Sequence, residues 1–385
     1  MVTIREVSAK SIFDSRREKT ILISIKTNVG NFSASAPSGK SRGKYEIKPY
    51  KKNLEGDIKT LKKFSDYFSD EILDEFDGLR RVEDIVDRHI GANTLFALES
   101  AILKAMAKKQ KKQVWELINP SAKKFPRLVG NCVGGGAHSS SKKRPDFQEF
   151  LLIPNLKSVK ENFEANKKVR LKIKELLKKE DNNFENKVTD ENAWMTSLNE
   201  KQVFEILKKS DLPFGVDIAS SGFYKRKKYH YNNPMLTRTK EEQLGYLSNL
   251  IKNFDLAYIE DPFGEEDFES FAKLLKKFPE SLIVGDDLIV TSSKRLQKAI
   301  EMKSVNAVIV KPNQCGSLLE VRKVCEIAKK NGIKIVFSHR SGETEESILA
   351  DLAFGFGADF LKCGIDGKAR EAKLKRLVEI ERGLR

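Results

Sequence analysis

The sequence of 385 residues predicts an α/β fold in two parts, a strand-and-helix segment followed by a βα barrel. Two observations carry this reading. From about residue 126 onward, short apolar runs recur, each ending in a polar or charged residue and each followed by a helical stretch. The ionisable residues at the ends of these runs, Asp217, Glu260, Asp286, Lys311, His339 and Lys362, are separated by 43, 26, 25, 28 and 23 positions. A near-constant step of one strand plus one helix favours a closed barrel over an open sheet. In a barrel such strand ends converge on one mouth.

The first part, residues 1–125, opens as a strand meander. Residues 20–27 alternate apolar and polar side chains, 28–30 turn, and 32–36 return. Helical periodicity follows over 57–76 (DIKTLKKFSDYFSDEILDEF) and 92–110 (ANTLFALESAILKAMAKKQ), the second with basic residues in its last turn. The proline-containing connection INPSAKKFPRL marks the boundary near residue 125. Residues 126–385 then carry FQEFLLIP, FGVDIA, LAYIEDP, LIVGDD, AVIVKP, IKIVFSHR and FLKCG, read as strands of a parallel sheet.

Composition narrows the function classes. Hydrophobic residues make up 39% and charged residues 33%, enough apolar material for a core and against general disorder. No run approaches the roughly 20 apolar residues of a membrane span, and MVTIREVSAK has no secretory-signal pattern. Cys132, Cys315, Cys325 and Cys363 show neither CxxC nor CxxH spacing. That excludes a zinc knuckle and a disulfide framework, and points to a reduced, cytoplasmic protein. The net charge of +16 is spread along segments such as KIKELLKK and reads as solvated helix faces, with no RNP, helix-turn-helix or finger motif beside it.

The strand ends suggest chemistry. Asp217, Glu260 and Asp286 place three carboxylates on adjacent strands with no His or Cys among them, a hard oxygen set suited to Mg²⁺ rather than zinc. Lys311, His339, Arg340 and Lys362 follow, cations that would hold an anionic substrate against such a metal. A lysine desolvated beside other positive charge has a lowered pKa and acts as a base. The Arg340 fork matches a phosphate or carboxylate. Glu149 and Glu191 supply a carboxylate pair able to protonate a departing hydroxyl. The parts together describe proton abstraction beside a carboxylate and loss of water. One rival motif fails: SGKS at 38–41 resembles the end of a P-loop, but its required first glycine falls at Ala34, inside a predicted strand.

With these residues in view, the chain resembles the enolase family. The resemblance is carried, in order across nearly the whole chain, by DSR (14–16), IEDPFGEEDFE (259–269), VGDDLIVT (284–291), VKPNQCGSL (310–318), SHRSGETEES (338–347) and ERGL (381–384). It implies an N-terminal α+β cap domain (1–125) and an enolase-type βα (TIM-like) barrel (126–385) that opens ββαα with one antiparallel strand. It also implies dehydration of 2-phosphoglycerate to phosphoenolpyruvate with two Mg²⁺ per active site, one structural and one catalytic. A lysine or histidine base with one or two Mg²⁺ is the general arrangement of that superfamily.

By the same resemblance, Asp217, Glu260 and Asp286 hold the structural Mg²⁺, the last two also facing the substrate. Ser41 closes over the substrate and binds the second ion. Lys311 removes the C2 proton, and Glu191, partnered by Glu149, helps the C3 hydroxyl leave. Lys362 contacts the substrate carboxylate and metal region. Arg340 and Ser341, beside His339, bind the phosphate, and His138 sits on a mobile loop. The implied partners are a small phosphorylated acid and further copies of the chain, as a dimer or higher homo-oligomer.

The departures cluster in loops. SGASTG is SGKSRG here, with Lys40 and Arg42 on either side of Ser41. NGGxHAxN becomes GGGAHSSSKKRPD, with Gly134 in place of Asn, and GDEGGFAP becomes TDENAWMT, with Asn192 and Ala193 in place of two glycines and Trp194 in place of Phe. Pro312 stands where enolases usually have Val, and Glu379 where the family often has an Arg used across its dimer interface. Residues 50–90 are shorter than in the family. These changes predict that the groups touching substrate and metal are kept while turnover is slower or narrower.

Two other readings compete: an enolase-like paralogue acting on another carboxylate, and a non-catalytic scaffold whose basic surface binds RNA or another partner. Lys311, Lys362, Glu191 and the three carboxylates favour the enzyme, because a scaffold has no need of them. His89, in a helical stretch, and His230, in the strand-like KYHY, read as structural, as do Trp115 and Phe125. Cys315 and Cys363 follow strand ends and read as small hydrophobes.

Overall fold

A computed structural model describes residues 1–68 and 72–384. Strands β1 (Val2–Phe13), β2 (Lys19–Thr27) and β3 (Gly30–Ser35) form the expected meander, with Val7 opposite Ile25 and Ile25 opposite Phe32. Alternation buries Ile21, Ile23 and Ile25 on one face. Helix α1 (Leu54–Phe64), capped by the Asn53 side chain, is followed by a short strand β4 (Ile72–Leu73), helix α2 (Leu79–Val86), the long α3 (Ala92–Gln110) and α4 (Val114–Ile118). Helix α3 covers the whole predicted span and is buried on nearly every side.

The helix expected over 57–76 is broken. It stops at Phe64, residues 65–68 form a single 3₁₀ turn, 72–73 pair antiparallel with Thr3 and Val2, and Phe76 opens a second 3₁₀ turn; 69–71 lie outside the described residues. The Ser65 hydroxyl accepts a hydrogen bond from the Val7 amide, so pairing with the β1 edge outweighs helical periodicity here. His89 sits in the turn after α2 rather than in a helix, its ring 5.0 Å from that of Phe64.

The barrel begins with a strand that the sequence reading passed over, β5 (Arg127–Gly134), followed by β6 (Glu149–Leu152) and α5 (Val159–Glu180). The two-residue β7 (Trp194–Met195), α6 (Glu200–Lys208) and β8 (Phe214–Asp217) come next. A small antiparallel sheet, β9 (Tyr224–Lys225), β10 (Lys228–Asn232) and β11 (Met235–Arg238), is inserted before α7 (Lys240–Phe254). That insertion accounts for the long step of 43 between Asp217 and Glu260, and it places His230 in a strand as read.

Regular alternation follows: β12 (Tyr258–Glu260), α8 (Phe268–Lys277), β13 (Leu282–Gly285), α9 (Ser293–Glu301), β14 (Ala307–Val310), the one-turn α10 (Pro312–Cys315), α11 (Leu318–Lys330), β15 (Lys334–Ser338), α12 (Ile348–Gly355), β16 (Phe360–Lys362) and α13 (Lys368–Leu384).

Closure comes from β16 pairing with β5. Strand β6 is antiparallel to both its neighbours, β5 and β8, with Glu149 directly opposite Asp217. The reversal matters for function. It brings the first residue of β6 to the same mouth as the last residues of the parallel strands. Val129, Leu151, Tyr258, Val284, Ile309 and Val336 fill the lumen beneath that mouth, so the barrel is a packed core with its chemistry at one end. All four cysteines are free and buried.

Candidate active site

Eleven of the twelve side chains singled out from the sequence line one cavity: Ser41, His138, Glu149, Glu191, Asp217, Asp286, Lys311, His339, Arg340, Ser341 and Lys362. The twelfth, Glu260, lies fully buried just beneath, accepting a hydrogen bond from the Tyr258 hydroxyl at 2.7 Å.

The lysines do not simply face the carboxylates across a substrate space. Lys362 Nζ lies 2.8 Å from Asp217 Oδ2, 2.8 Å from Glu260 Oε1 and 3.3 Å from Glu149 Oε2. Lys311 Nζ is bonded to Asp286 Oδ2. Burial pulls both ammonium groups down, but the carboxylates win. Asp286 holds Lys311 above the ordinary lysine range, and Asp217 with Glu149 and Glu260 holds Lys362 well above it. The lowered lysine pKa expected from the sequence is therefore corrected: a neighbouring anion outweighs both desolvation and the nearby cations.

Strand and loop chemistry position these groups. Pro312 at the first position of α10 favours extended backbone at Lys311, whose amide donates to Thr291 Oγ1 at 2.9 Å. Asp261 accepts the amides of Asp286 and Asp287 at 2.9 and 2.8 Å, fixing the end of β13. Asn192, in place of a glycine, takes φ 60, a left-handed conformation that asparagine tolerates. Arg170 donates to the Asn192 carbonyl and accepts the Trp194 indole N–H at its own carbonyl, so the loop carrying Glu191 is braced on α5. The loop thus keeps its turn without glycine.

Glu149, Glu191 and His138 bring ligand atoms within 4.8 Å of one another. Burial, and then the charge on Glu191, pushes the Glu149 carboxyl well above the ordinary range. Burial opposes ionisation of Glu191 too, but His339, His138, Arg370 and Lys362 hold it below that range. The two carboxyls are therefore shifted in opposite directions, Glu149 up and Glu191 down. Asn131, on the overlooked β5, donates to Glu191 Oε2 at 3.2 Å. Burial pushes His138 down and His339 well down, against the pull of Glu191, which favours their charged forms.

Arg340 is 5% exposed, and its fork is engaged bidentately by Glu46, at 2.9 and 3.1 Å, with Asn313 and the Ser41 carbonyl as further acceptors. Gly39 leaves room for that fork, since a Cβ there would lie 2.0 Å from Arg340 Nη2. Nothing in the sequence marked Glu46 or Asn131. Asp261 and Asp287 did carry a signal, as the second acids of EDP and GDD, and it went unread.

Mg²⁺ fits the carboxylate set. Burial, and then Asp217, pushes Glu260 up to about 8 even with Lys362 2.8 Å away, and burial with Asp286 pushes Asp287 up to about 7, so these crowded oxygen donors carry more negative charge than the lysines offset. Among the described residues, the two groups of ligand atoms gathered within 4.8 Å are His138–Glu149–Glu191 and Asp261–Asp286–Asp287. Asp217 and Glu260 instead lean on Lys362, and Asp286 on Lys311. Cys315 and Cys363 line no part of the cavity, and burial pushes the Cys363 thiol up to about 12, so both behave as hydrophobes.

Carboxylates, ammonium groups and imidazoles converging at the C-terminal mouth of a βα barrel define an enzyme for an anionic substrate, with proton transfer as its chemistry. Residues 122–385 match the family model described as enolase, C-terminal TIM barrel domain. The whole chain is similar to curated enolases. It is 33% identical to that of Pyrobaculum aerophilum over 98% of this chain and 96% of the relative. It is 35% identical to that of Methanosphaera stadtmanae over 99% and 97%, and 35% identical to that of Archaeoglobus fulgidus over 98% and 97%. The chain belongs to the enolase family. Its activity is that of a lyase, the phosphopyruvate hydratase reaction, and the family's metal is Mg²⁺.

Proposed function

We propose that the chain converts 2-phosphoglycerate to phosphoenolpyruvate at this mouth, with Lys311 removing the C2 proton and the Glu149–Glu191 pair handling the C3 hydroxyl. The observation that supports it most is geometric: Lys311, Lys362, Glu149 and Glu191 converge on one cavity with Arg340 and Ser341. Arg340 and Ser341, with His339 beside them, take the phosphate, and Lys362 takes the substrate carboxylate. His138, 3.5 Å from Glu149 Oε1, borders the leaving hydroxyl.

Asp217, Glu260 and Asp286 would hold one Mg²⁺, and Ser41 would contribute to a second. When bound, Mg²⁺ supplies positive charge against the substrate carboxylate, where negative charge develops as the C2 proton leaves. Lys311 must be neutral to accept that proton, and its present partner, Asp286, is the carboxylate a cation would engage. The surrounding cap loop, 38–46, excludes water by docking on the 340–342 segment: the Ser38 amide donates to the Gly342 carbonyl at 2.7 Å, and the Lys40 amide to Ser341 Oγ at 2.8 Å.

The proposal includes two domains, 1–125 and 126–385, in a cytoplasmic homo-oligomer, to be checked by limited proteolysis, cell fractionation and light scattering. No helix among the described residues is long and apolar enough to cross a membrane. The direct test of the roles is a set of single substitutions. Lys311→Ala and Glu191→Gln are expected to abolish dehydration, whereas turnover by Lys311→Ala at the parent rate would remove Lys311 from the mechanism.

A further inference from the structure

We propose that Arg16, contributed by the cap, is a positioning residue that fixes Ser341 as a hydrogen-bond donor toward the substrate phosphate. This rests on the assignment of Arg340 and Ser341 to that phosphate. Ser341 Oγ accepts from Arg16 Nη1 at 3.2 Å and from the Lys40 amide at 2.8 Å. A serine hydroxyl has two lone pairs and one proton. With both lone pairs taken by N–H donors, the O–H is left to point at an acceptor. Arg340 has little to spare, because Glu46, Asn313 and the Ser41 carbonyl already occupy both its terminal nitrogens. Ser341 therefore offers a hydroxyl donor beside Arg340, and a phosphate oxygen is the acceptor that suits it.

Arg16 is built for this task rather than for contact with solvent. Its side chain is 6% exposed. One terminal nitrogen is bonded to Glu18 and lies 3.4 Å from Ser38 Oγ, while Nε is buried without a hydrogen-bond partner, 3.9 Å from Asp14 Oδ2. Gly342 makes the approach feasible: a Cβ there would lie 3.0 Å from Arg16 Nε and 2.1 Å from Asp14 Oδ2. A charged donor on Ser341 also polarises its hydroxyl and strengthens the bond it gives. Arg16 thereby ties phosphate recognition in the barrel to the docked position of the cap.

The test is a double-mutant cycle on the full chain, reading the Kd of inorganic phosphate by calorimetry and the KM and kcat for 2-phosphoglycerate. Arg16→Met is expected to weaken phosphate and raise KM about tenfold, with kcat changed far less. In a Ser341→Ala background the same change is expected to cost less than about twofold. Equal losses in the two backgrounds, or no loss in either, would overturn the role of Arg16. Phosphate binding untouched by Ser341→Ala would instead overturn the phosphate assignment itself. Arg16→Lys, which keeps the charge but cannot serve Glu18 and Ser341 together, covers the case in which Arg16→Met does not fold. It is expected to weaken phosphate only when Ser341 is present, and an equal loss with Ser341→Ala again contradicts the proposal.

Discussion

Lys311 and Asp286 face each other inside a site that leaves neither group free of the other. The Lys311 side chain is 15% exposed, and the Asp286 carboxylate favours its charged form. Lys311→Ala is expected to lower kcat about a thousandfold or more, the range of a lost general base, while the circular dichroism spectrum stays that of the parent. Gly39 is a second sensitive point. Gly39→Ala puts a methyl group into the Arg340 fork, and KM is expected to rise about tenfold or more with a smaller change in kcat. An unchanged KM would mean that Arg340 is free to move. The strand-end residues were legible because an ionisable side chain at the end of an apolar run has few reasons to be there. Glu46, Asn131 and Arg16 as a partner of Ser341 were not, because each acts across a tertiary contact that no spacing encodes.

Segment 181–198 carries Glu191 and is tied down at its start by one buried carboxylate. Asp181, just past the end of α5, accepts from Ser197 Oγ and Thr196 Oγ1, each at 2.5 Å, the Ser197 amide at 2.7 Å and the Asn183 amide at 3.0 Å. Burial works against its ionisation, but these donors prevail and hold its pKa below the ordinary value. A depressed native pKa stabilises fully above the unfolded value, near 3.9, and this contribution is lost as pH falls through the native value. Asp181→Asn is expected to lower stability by about 1–3 kcal/mol at pH 7 and to differ little from the parent near pH 2, as read from denaturant titrations at each pH. A gap that persists at low pH would assign the effect to packing. At this scale the sequence was an uneven guide. Helix α3 was read to the residue because its apolar face is continuous, whereas β5 was missed because RLVGNCVG interrupts its apolar residues with Gly and Asn and its charged residue stands at the start rather than the end. The break in the 57–76 helix and the reversal of β6 depend on which strand lies alongside, and local periodicity carries no such information.

At the scale of the whole molecule, the barrel provides the carboxylates and the lysines, and the cap provides the 38–46 loop that docks beside them together with Arg16. Lys40, one of the departures from the family pattern, reaches from the cap to the barrel, its Nζ 3.5 Å from Asp190. The departures leave the strand-end groups in place. The central claim is that these strand ends run a Mg²⁺-dependent dehydration. The measurement that tests it most directly is the absorbance of phosphoenolpyruvate formed from 2-phosphoglycerate, with Mg²⁺ present, then with excess chelator, then with Mg²⁺ restored. The expected result is turnover that stops on chelation and returns with the ion. A folded protein that binds Mg²⁺ yet forms no phosphoenolpyruvate would contradict it.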